Sequence, residues 1–392
     1  MDKIAPKVTE ILKEMLLGSD SFIPLHIPEF DDKEVQFVNE CIRSNFVSSV
    51  GSFVDRFEEM LQTFTGAKRC VLCVNGTSAL HLALHSAGIG FEDEVLIPSF
   101  TFIATANSVS YCGALPHFID IEEKHLGVDP TKLSEYLEKE FTFDGVQLYN
   151  PKTKRKVKAL VPMHTFGHPC KMSELLKIAN SYNLLVIEDA AESLGSYYKD
   201  KHTGNAGLCG VLSFNGNKII TSGGGGAILT NDIDFADRLK HLSTTAKEPH
   251  KWKIKHDNIG YNYRMPAINA ALGCAQMEKL ANFISHKRKV AEMYCNALKN
   301  VDGLRFVSER EDSKSNYWLN TIILDDVSEY SLGELLKRTN DIGIMTRPAW
   351  TPLHLLPIYS NCPKMDLEIT ENMFRRVINI PSSARLGFTN KH

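Results

Sequence analysis

Seven short apolar runs, separated by stretches of helical periodicity, constrain this chain more than any other feature. They fall between about residues 30 and 240: RCVLCVNG, DEVLIPSF, ALPHFIDI, VKALVPMH, LLVIEDA, GVLSF and GAILTND. Most are apolar throughout instead of alternating, which is the pattern of strands covered on both faces. Between them Leu80, Ala83, Leu84 and Ala87, and then Met172, Leu175, Leu176 and Ala179, recur at i, i+3, i+4 and i+7. That spacing lays one face of a helix on a sheet. Strand–helix alternation of this kind predicts an α/β domain around a mainly parallel sheet.

The flanks differ in pattern. Ile4, Val8, Ile11, Leu12 and Met15 sit at helical spacing beside Asp2, Glu10 and Glu14, so the first residues read as an amphipathic helix and not as a signal peptide. A polar bridge, KEPHKWKIKHDNIGYNYRM, spans 247–265, and a long helical stretch follows. Strands near TIILDD and GIMTRPAW and a helix near SLGELLKRTND complete a compact α+β part. The expected division is an N-terminal helix and arm over 1–29, a large α/β domain over 30–265 and a smaller α+β domain over 266–392. Within the large domain, GVQLYNPKTKRKVKAL reads as a hairpin turning at NPKT.

With 392 residues, 43% apolar and 23% charged, the chain can bury an ordinary core, and a net charge of −3 argues against a general nucleic-acid or membrane-surface role. No apolar run approaches the roughly 18–20 residues of a membrane helix. Nine cysteines without a framework or a secretory signal point to reduced thiols and a cytoplasmic protein. Cys70 and Cys73 form a CxxC with no second pair nearby, so a buried strand is the better reading and no metal site is predicted. His81 and His85 share a helix face at i, i+4 but lack a third ligand, which again favours packing.

Four places carry chemistry. Asn75-Gly76-Thr77-Ser78 ends a strand and opens a helix, where free N–H groups and two hydroxyls can hold a phosphate; taken alone, an ordinary helix cap is the simpler reading. Gly223 to Gly226 lead into a strand and not a helix, so they make no phosphate loop of the usual kind and instead permit a close approach. Lys218, in SFNGNKIITSGGGG, lies in a turn between apolar runs, a setting that favours the uncharged, nucleophilic amine that a Schiff base requires. Ser213, five residues earlier, could reach the same phosphate. Asp189 ends the strand LLVIEDA, where α/β sheets open their ligand crevices. A carboxylate there can keep a pyridine-type ring nitrogen protonated, or can simply cap the next helix.

In this order the motifs resemble the DegT/StrS sugar aminotransferases, within the aspartate-aminotransferase fold (fold type I of the PLP-dependent transferases). The resemblance runs from FVSSVGSFVDRFE through NGTSALHLAL, PSFTFIATANSV, VPMHTFGHPCKM, EDAAESLGSYY, SFNGNKIITSGGGG and GYNYRMPAINAALG to PLHLLPIY. It implies pyridoxal 5′-phosphate (PLP) as cofactor, with Lys218 as its covalent anchor and catalytic base. It further implies Asp189 against the ring nitrogen and Gly76, Thr77, Ser78 and Ser213 at the phosphate. Phe102 would stack on the ring, and Asn262 would reach the phosphate from the neighbouring subunit of a homodimer with shared sites. His354 and Tyr359 fall where the family meets its nucleotide sugar.

One position departs from the family. Gln usually follows Asp-Ala-Ala and bonds the cofactor's phenolic oxygen, but here Glu192 stands, and an ionised carboxylate cannot donate that bond. Either Glu192 carries a proton or it turns elsewhere. Relatives that remove a hydroxyl carry His at the lysine position, so Lys218 implies transamination, with glutamate as donor. The hairpin beside VPMHTFGHPCKM, and EDAAESLGS with its Glu, resemble the branch making bacillosamine and legionaminic-acid precursors for surface glycans. That branch implies a UDP-linked 4-keto-6-deoxy-N-acetylhexosamine aminated at C4. Alternatives are a dTDP-linked or 3-keto sugar, a non-catalytic regulator on the same fold, or a nucleotide-binding module. The basic cluster Lys247, Lys251, Lys253 and Lys255 reads as a solvated loop before it reads as a diphosphate site.

Overall fold

The computed structural model describes residues 4–16, 22–325 and 329–387. The seven expected strands all form: Arg69–Cys73, Asp93–Pro98, Leu115–Ile119, Lys156–Leu160, Leu185–Asp189, Cys209–Ser213 and Gly226–Thr230. Across the sheet they lie in the order 69–73, 226–230, 209–213, 185–189, 156–160, 93–98, 115–119. Strand 226–230 runs antiparallel to both neighbours, while the other pairings along this path are parallel. The hairpin is present as Leu148–Tyr149 antiparallel to Lys156–Leu160. Its turn is closed by the Lys154 N–H on the Asn150 carbonyl, 2.8 Å.

Helix Gly76–Ser86 is buried nearly all round, at Ala79, Leu80, His81, Leu82, Ala83 and Leu84. Its expected stripe broadens because helices 103–111 and 233–243 cover the side turned away from the sheet. His81 and His85 pack accordingly: the two rings meet Tyr261 at 5.0 and 5.5 Å, and His81 Nδ1 lies 3.2 Å from the Tyr263 hydroxyl. Cys70 and Cys73 are buried in their strand, and burial pushes the Cys73 thiol up to about 12. Among the described residues no helix is long and apolar enough to cross a membrane.

The C-terminal part is a four-stranded antiparallel sheet in the order Leu304–Phe306, Asn320–Leu324, Val377–Ile380, Arg347–Pro348. The N-terminal helix Ile4–Leu16 belongs to this core: Val8, Leu12 and Leu16 are buried with Ile322, Leu335 and Ile378, and Ile4, Ile11 and Met15 flank them half-buried. The long helix Ala267–Leu298 serves both parts. Ala270, Ala271, Cys274 and Leu280 pack under the large sheet, whereas Val290, Tyr294 and Leu298 pack in the C-terminal core. A rigid rod shared between two cores leaves little freedom between them. The division expected at 265/266 falls where this rod begins.

The rod also carries Lys287, fully buried, whose ammonium donates to the carbonyls of Trp318, at 3.1 Å, and of Ser382. Burial holds its pKa well below the ordinary lysine value. Two C-terminal segments are thereby tied to the helix by one side chain.

Candidate active site

A cavity of about 330 Å³ opens at the carboxyl ends of the parallel strands. Its lining includes Gly76, Thr77, Phe102, Asp189, Glu192, Ser213 and Lys218. Segments from residue 76 to residue 218 meet there at the ends of strands, as open α/β sheets dictate.

Asn75 is the cap of helix Gly76–Ser86, accepting the Ser78 N–H at 2.7 Å. The cap reading is met, and Gly76 and Thr77 at the first turn line the cavity. Ser78 spends its N–H on the cap and is not among the lining residues. Across the floor Ser213 ends its strand against Gly76, where an added Cβ would stand 3.1 Å from the Ser213 Cβ. The glycine run makes the close approach expected of it. At Gly226 a Cβ would lie 2.6 Å from the Asn75 carbonyl carbon and oxygen, so only hydrogen fits between strand and helix start.

Asp189 is buried, and its Oδ2 accepts from the Thr105 hydroxyl at 2.7 Å and its Oδ1 from the Ala191 N–H at 3.2 Å. Burial raises its pKa, while these two donors and Lys218 pull it back. Glu192 is 3% exposed. Its Oε2 accepts from the Phe166 N–H at 2.9 Å, and its Oε1 lies 3.3 Å from Lys218 Nζ. Burial raises its carboxyl to about 7, against the pull of Lys218 and with a push from Asp189. Glu192 thus lines the cavity beside Lys218, with its carboxyl raised by burial.

Behind the strand ends Glu188 is fully buried and accepts from the N–H groups of Gly204, Ala206 and Gly207 and from His164. The Cys170 N–H donates into His164 Nδ1 at 3.0 Å, so the imidazole proton sits on Nε2, toward Glu188. The His164 N–H in turn bonds the Asp189 carbonyl at 3.1 Å. This buried network fixes the end of the Asp189 strand.

Besides Ser78, three expected residues lie elsewhere. Asn262 is exposed, bridges Thr244 through its backbone and does not line this cavity. His354 is buried between Ser99 Oγ, 2.7 Å, and Glu371, 3.0 Å. Tyr359 is buried with its hydroxyl on Asn107, 2.6 Å. His354 and Tyr359 already spend their polar atoms within the chain. Sequence reasoning missed Asn215 and Asn217, which flank Lys218 in its own motif, and Trp318 and Trp350, whose only signal is their type. Trp350 leads an aromatic wall with Phe166 at 4.9 Å, Phe100 at 6.1 Å and Phe102 at 6.4 Å.

Residues 28–390 match the model of the DegT/DnrJ/EryC1/StrS aminotransferase family. The GDP-perosamine synthase of Caulobacter vibrioides is 37% identical over 366 residues, covering 93% of this chain and 94% of that one. The UDP-2-acetamido-2-deoxy-3-oxo-D-glucuronate aminotransferase of Pseudomonas aeruginosa is 34% identical over 253 residues, 64% of this chain and 65% of that one. The crystal structure of a DegT DnrJ EryC1 StrS aminotransferase from Brucella abortus superposes with a TM-score of 0.82 at 26% identity, covering 90% of this chain and 91% of that one. Lys218, the buried carboxylate of Asp189 and the start of helix Gly76–Ser86 share one cavity, a set that suits a PLP enzyme of that fold. The chain belongs to the DegT/DnrJ/EryC1/StrS family and is a PLP-dependent sugar aminotransferase.

Proposed function

We propose that this chain moves the amino group of glutamate to C4 of a UDP-linked 4-keto-6-deoxy-N-acetylhexosamine, for surface-glycan or nonulosonic-acid-type sugar synthesis. The observation that carries the aminotransferase chemistry is the cavity itself, with Lys218 and Asp189 on its walls and the start of helix 76–86 at its end. The donor set fits the cofactor. Gly76 and Thr77 offer first-turn N–H groups to its phosphate, joined by the Ser213 hydroxyl, with Ser78 contributing through the same helix end. Phe102 offers an aromatic face at the cavity mouth.

When bound, PLP supplies a carbonyl for the incoming amine and a ring that accepts electrons from the reacting carbon. Asp189, oriented by Thr105 and Ala191, would hold a proton on the ring nitrogen. Lys218 would hold the cofactor through Nζ and, when its amine is free, would serve as general base and acid for the proton that moves between the reacting carbons. Glu192 in its protonated form can donate to the cofactor's phenolic oxygen.

The homodimer belongs to the same proposal. Asn262 lies exposed beside a loop whose Trp252, Ile254 and Ile259 are each more than three-quarters exposed, an apolar cost that a second subunit would remove. With both partners in the cytoplasm, Asn262 of one chain would complete the phosphate site of the other. His354 and Tyr359 would act on the sugar through Ser99, Asn107 and their segment, not by direct contact.

The UDP and N-acetyl assignments rest on the hairpin motif and on EDAAESLGS. A second reading, a GDP-linked sugar, is favoured by the 37% identity to GDP-perosamine synthase. Purified enzyme with glutamate should be offered UDP-4-keto-6-deoxy-N-acetylglucosamine, dTDP-4-keto-6-deoxyglucose and GDP-4-keto-6-deoxymannose. Preference for the first supports the proposal, and preference for either other sugar replaces the substrate while leaving the chemistry in place.

A further inference from the structure

The ammonium of Lys218 has two neighbours in the cavity. One is Glu192, and the other is the ring of Trp318, whose centroid lies 3.9 Å from Nζ. The lysine side chain is only 13% exposed, so both contacts act with little screening. Trp318 comes from the C-terminal part, one hundred residues beyond the lysine, and is 4% exposed.

Trp318 is held at its main-chain and ring polar atoms alike. Its main-chain N–H donates to Asn316 Oδ1 at 2.8 Å, its carbonyl accepts from buried Lys287 at 3.1 Å, and its ring N–H donates to the Asn217 carbonyl at 2.7 Å. Asn217 immediately precedes Lys218, so the ring is pinned to the turn that carries the amine. Asn316 also donates from Nδ2 to the carbonyls of Glu192 and Leu194, each at 2.9 Å. One asparagine therefore sets both neighbours of the amine. Gly167, with φ +96°, makes room for it, since a Cβ there would collide with Asn316 Oδ1.

We infer that Trp318 is a positioning residue for Lys218, holding the amine in line through its ring face while its indole N–H fixes the Asn217–Lys218 turn. This inference rests on the role of Lys218 proposed above. When Lys218 is free of the cofactor, a ring face attracts the ammonium and not the neutral amine. The other ionisable groups that feel Lys218 are Asp189 at the end of its strand and His26 of the N-terminal arm. The His26 ring nitrogens are buried, and burial with Lys287 and Lys218 holds its pKa well below the ordinary value against a backbone hydrogen bond at Asn217. It stays uncharged beside the amine and leaves Glu192 and Trp318 to hold the ammonium.

The test uses cofactor-free protein, to which PLP is added at a series of pH values while its covalent capture is followed by visible absorbance. Capture needs the uncharged amine, which adds to the aldehyde with loss of water. Trp318→Leu should move the midpoint of the rate profile down by about 0.5–1 pH unit, since the ammonium loses a partner worth about that much. Trp318→Phe keeps a face but not the N–H, so it should hold the midpoint near wild type and slow capture a few-fold at every pH. Should the Leu variant fail to fold, Trp318→Met keeps bulk without a π face and should show the same downward shift. A folded Leu or Met variant with wild-type midpoint and rate would overturn the inference. Lys218→Ala in the same assay, followed by borohydride and mass measurement, tests the underlying role separately. Covalent capture by that variant would sink the reading of Lys218 itself, whatever Trp318 does.

Discussion

Replacing Lys218 by Ala removes anchor and proton carrier together. Turnover should fall by about 10²–10⁴-fold or more, the range of a lost general base, while non-covalent cofactor binding persists. Borohydride should attach the cofactor to wild type at Lys218 and leave the variant unlabelled. Glu192 gives a prediction about pH. Its carboxyl sits at about 7 in the folded protein, above the roughly 4.3 of an unfolded chain. The folded state therefore keeps a proton that the unfolded state releases, so stability from this group is complete below the unfolded value and is lost as pH rises through 7. In cofactor-free protein, melting temperature should fall less steeply between pH 5 and 8 in Glu192→Gln than in wild type. Equal slopes would show that Glu192 ionises normally.

At the scale of elements, the site depends on how strand ends are held. Glu188 accepts four donors in the core behind Asp189, from three main-chain N–H groups and His164. Glu188→Ala would leave them unpaired and should cost about 3–5 kcal/mol, read as a lower urea midpoint. Gly226→Ala tests the approach of a strand to a helix start. Its Cβ would meet the Asn75 main chain, the floor must shift, and cofactor affinity should drop about tenfold, some 1.4 kcal/mol. Unchanged affinity in a folded variant would separate the phosphate end from this junction.

The whole molecule poses the question of subunits. The chain encloses Lys218 and Asp189 within itself but leaves Asn262 outside the cavity. Mixed after dissociation, an inactive Lys218→Ala chain and an inactive Asn262→Asp chain should recover about a quarter of wild-type activity, because half the dimers are hybrids with one intact site of two. No recovery, with hybrids shown to form, would place Asn262 in its own chain's site or in none. The long helix 267–298 bears on the same scale. Because it is packed in both cores, Trp318 and Lys218 are held in one frame, so loosening the C-terminal part should register at the lysine.

The sheet, its strands and the helix start at Gly76 were legible in the sequence because apolar runs and caps are local signals, each written in a few consecutive residues. Lys218, Asp189, Thr77 and Ser213 stood out in their own motifs and Phe102 through the family resemblance, and all five line the cavity. Glu192 was visible as a departure, but its proton was not, since burial, with a push from Asp189, raises the carboxyl against the pull of Lys218 and the Phe166 N–H. Trp318 and Trp350 carry no motif, and their place on the cavity wall follows from the C-terminal sheet docking through the long helix. His354 and Tyr359 show the reverse: the resemblance puts their motif at the nucleotide sugar, but their side chains turn inward to Ser99 and Asn107. Local pattern determines which elements form and which residues stand at their ends. Distances between chain segments a hundred residues apart are set by packing, and it was packing alone that decided what surrounds the amine of Lys218.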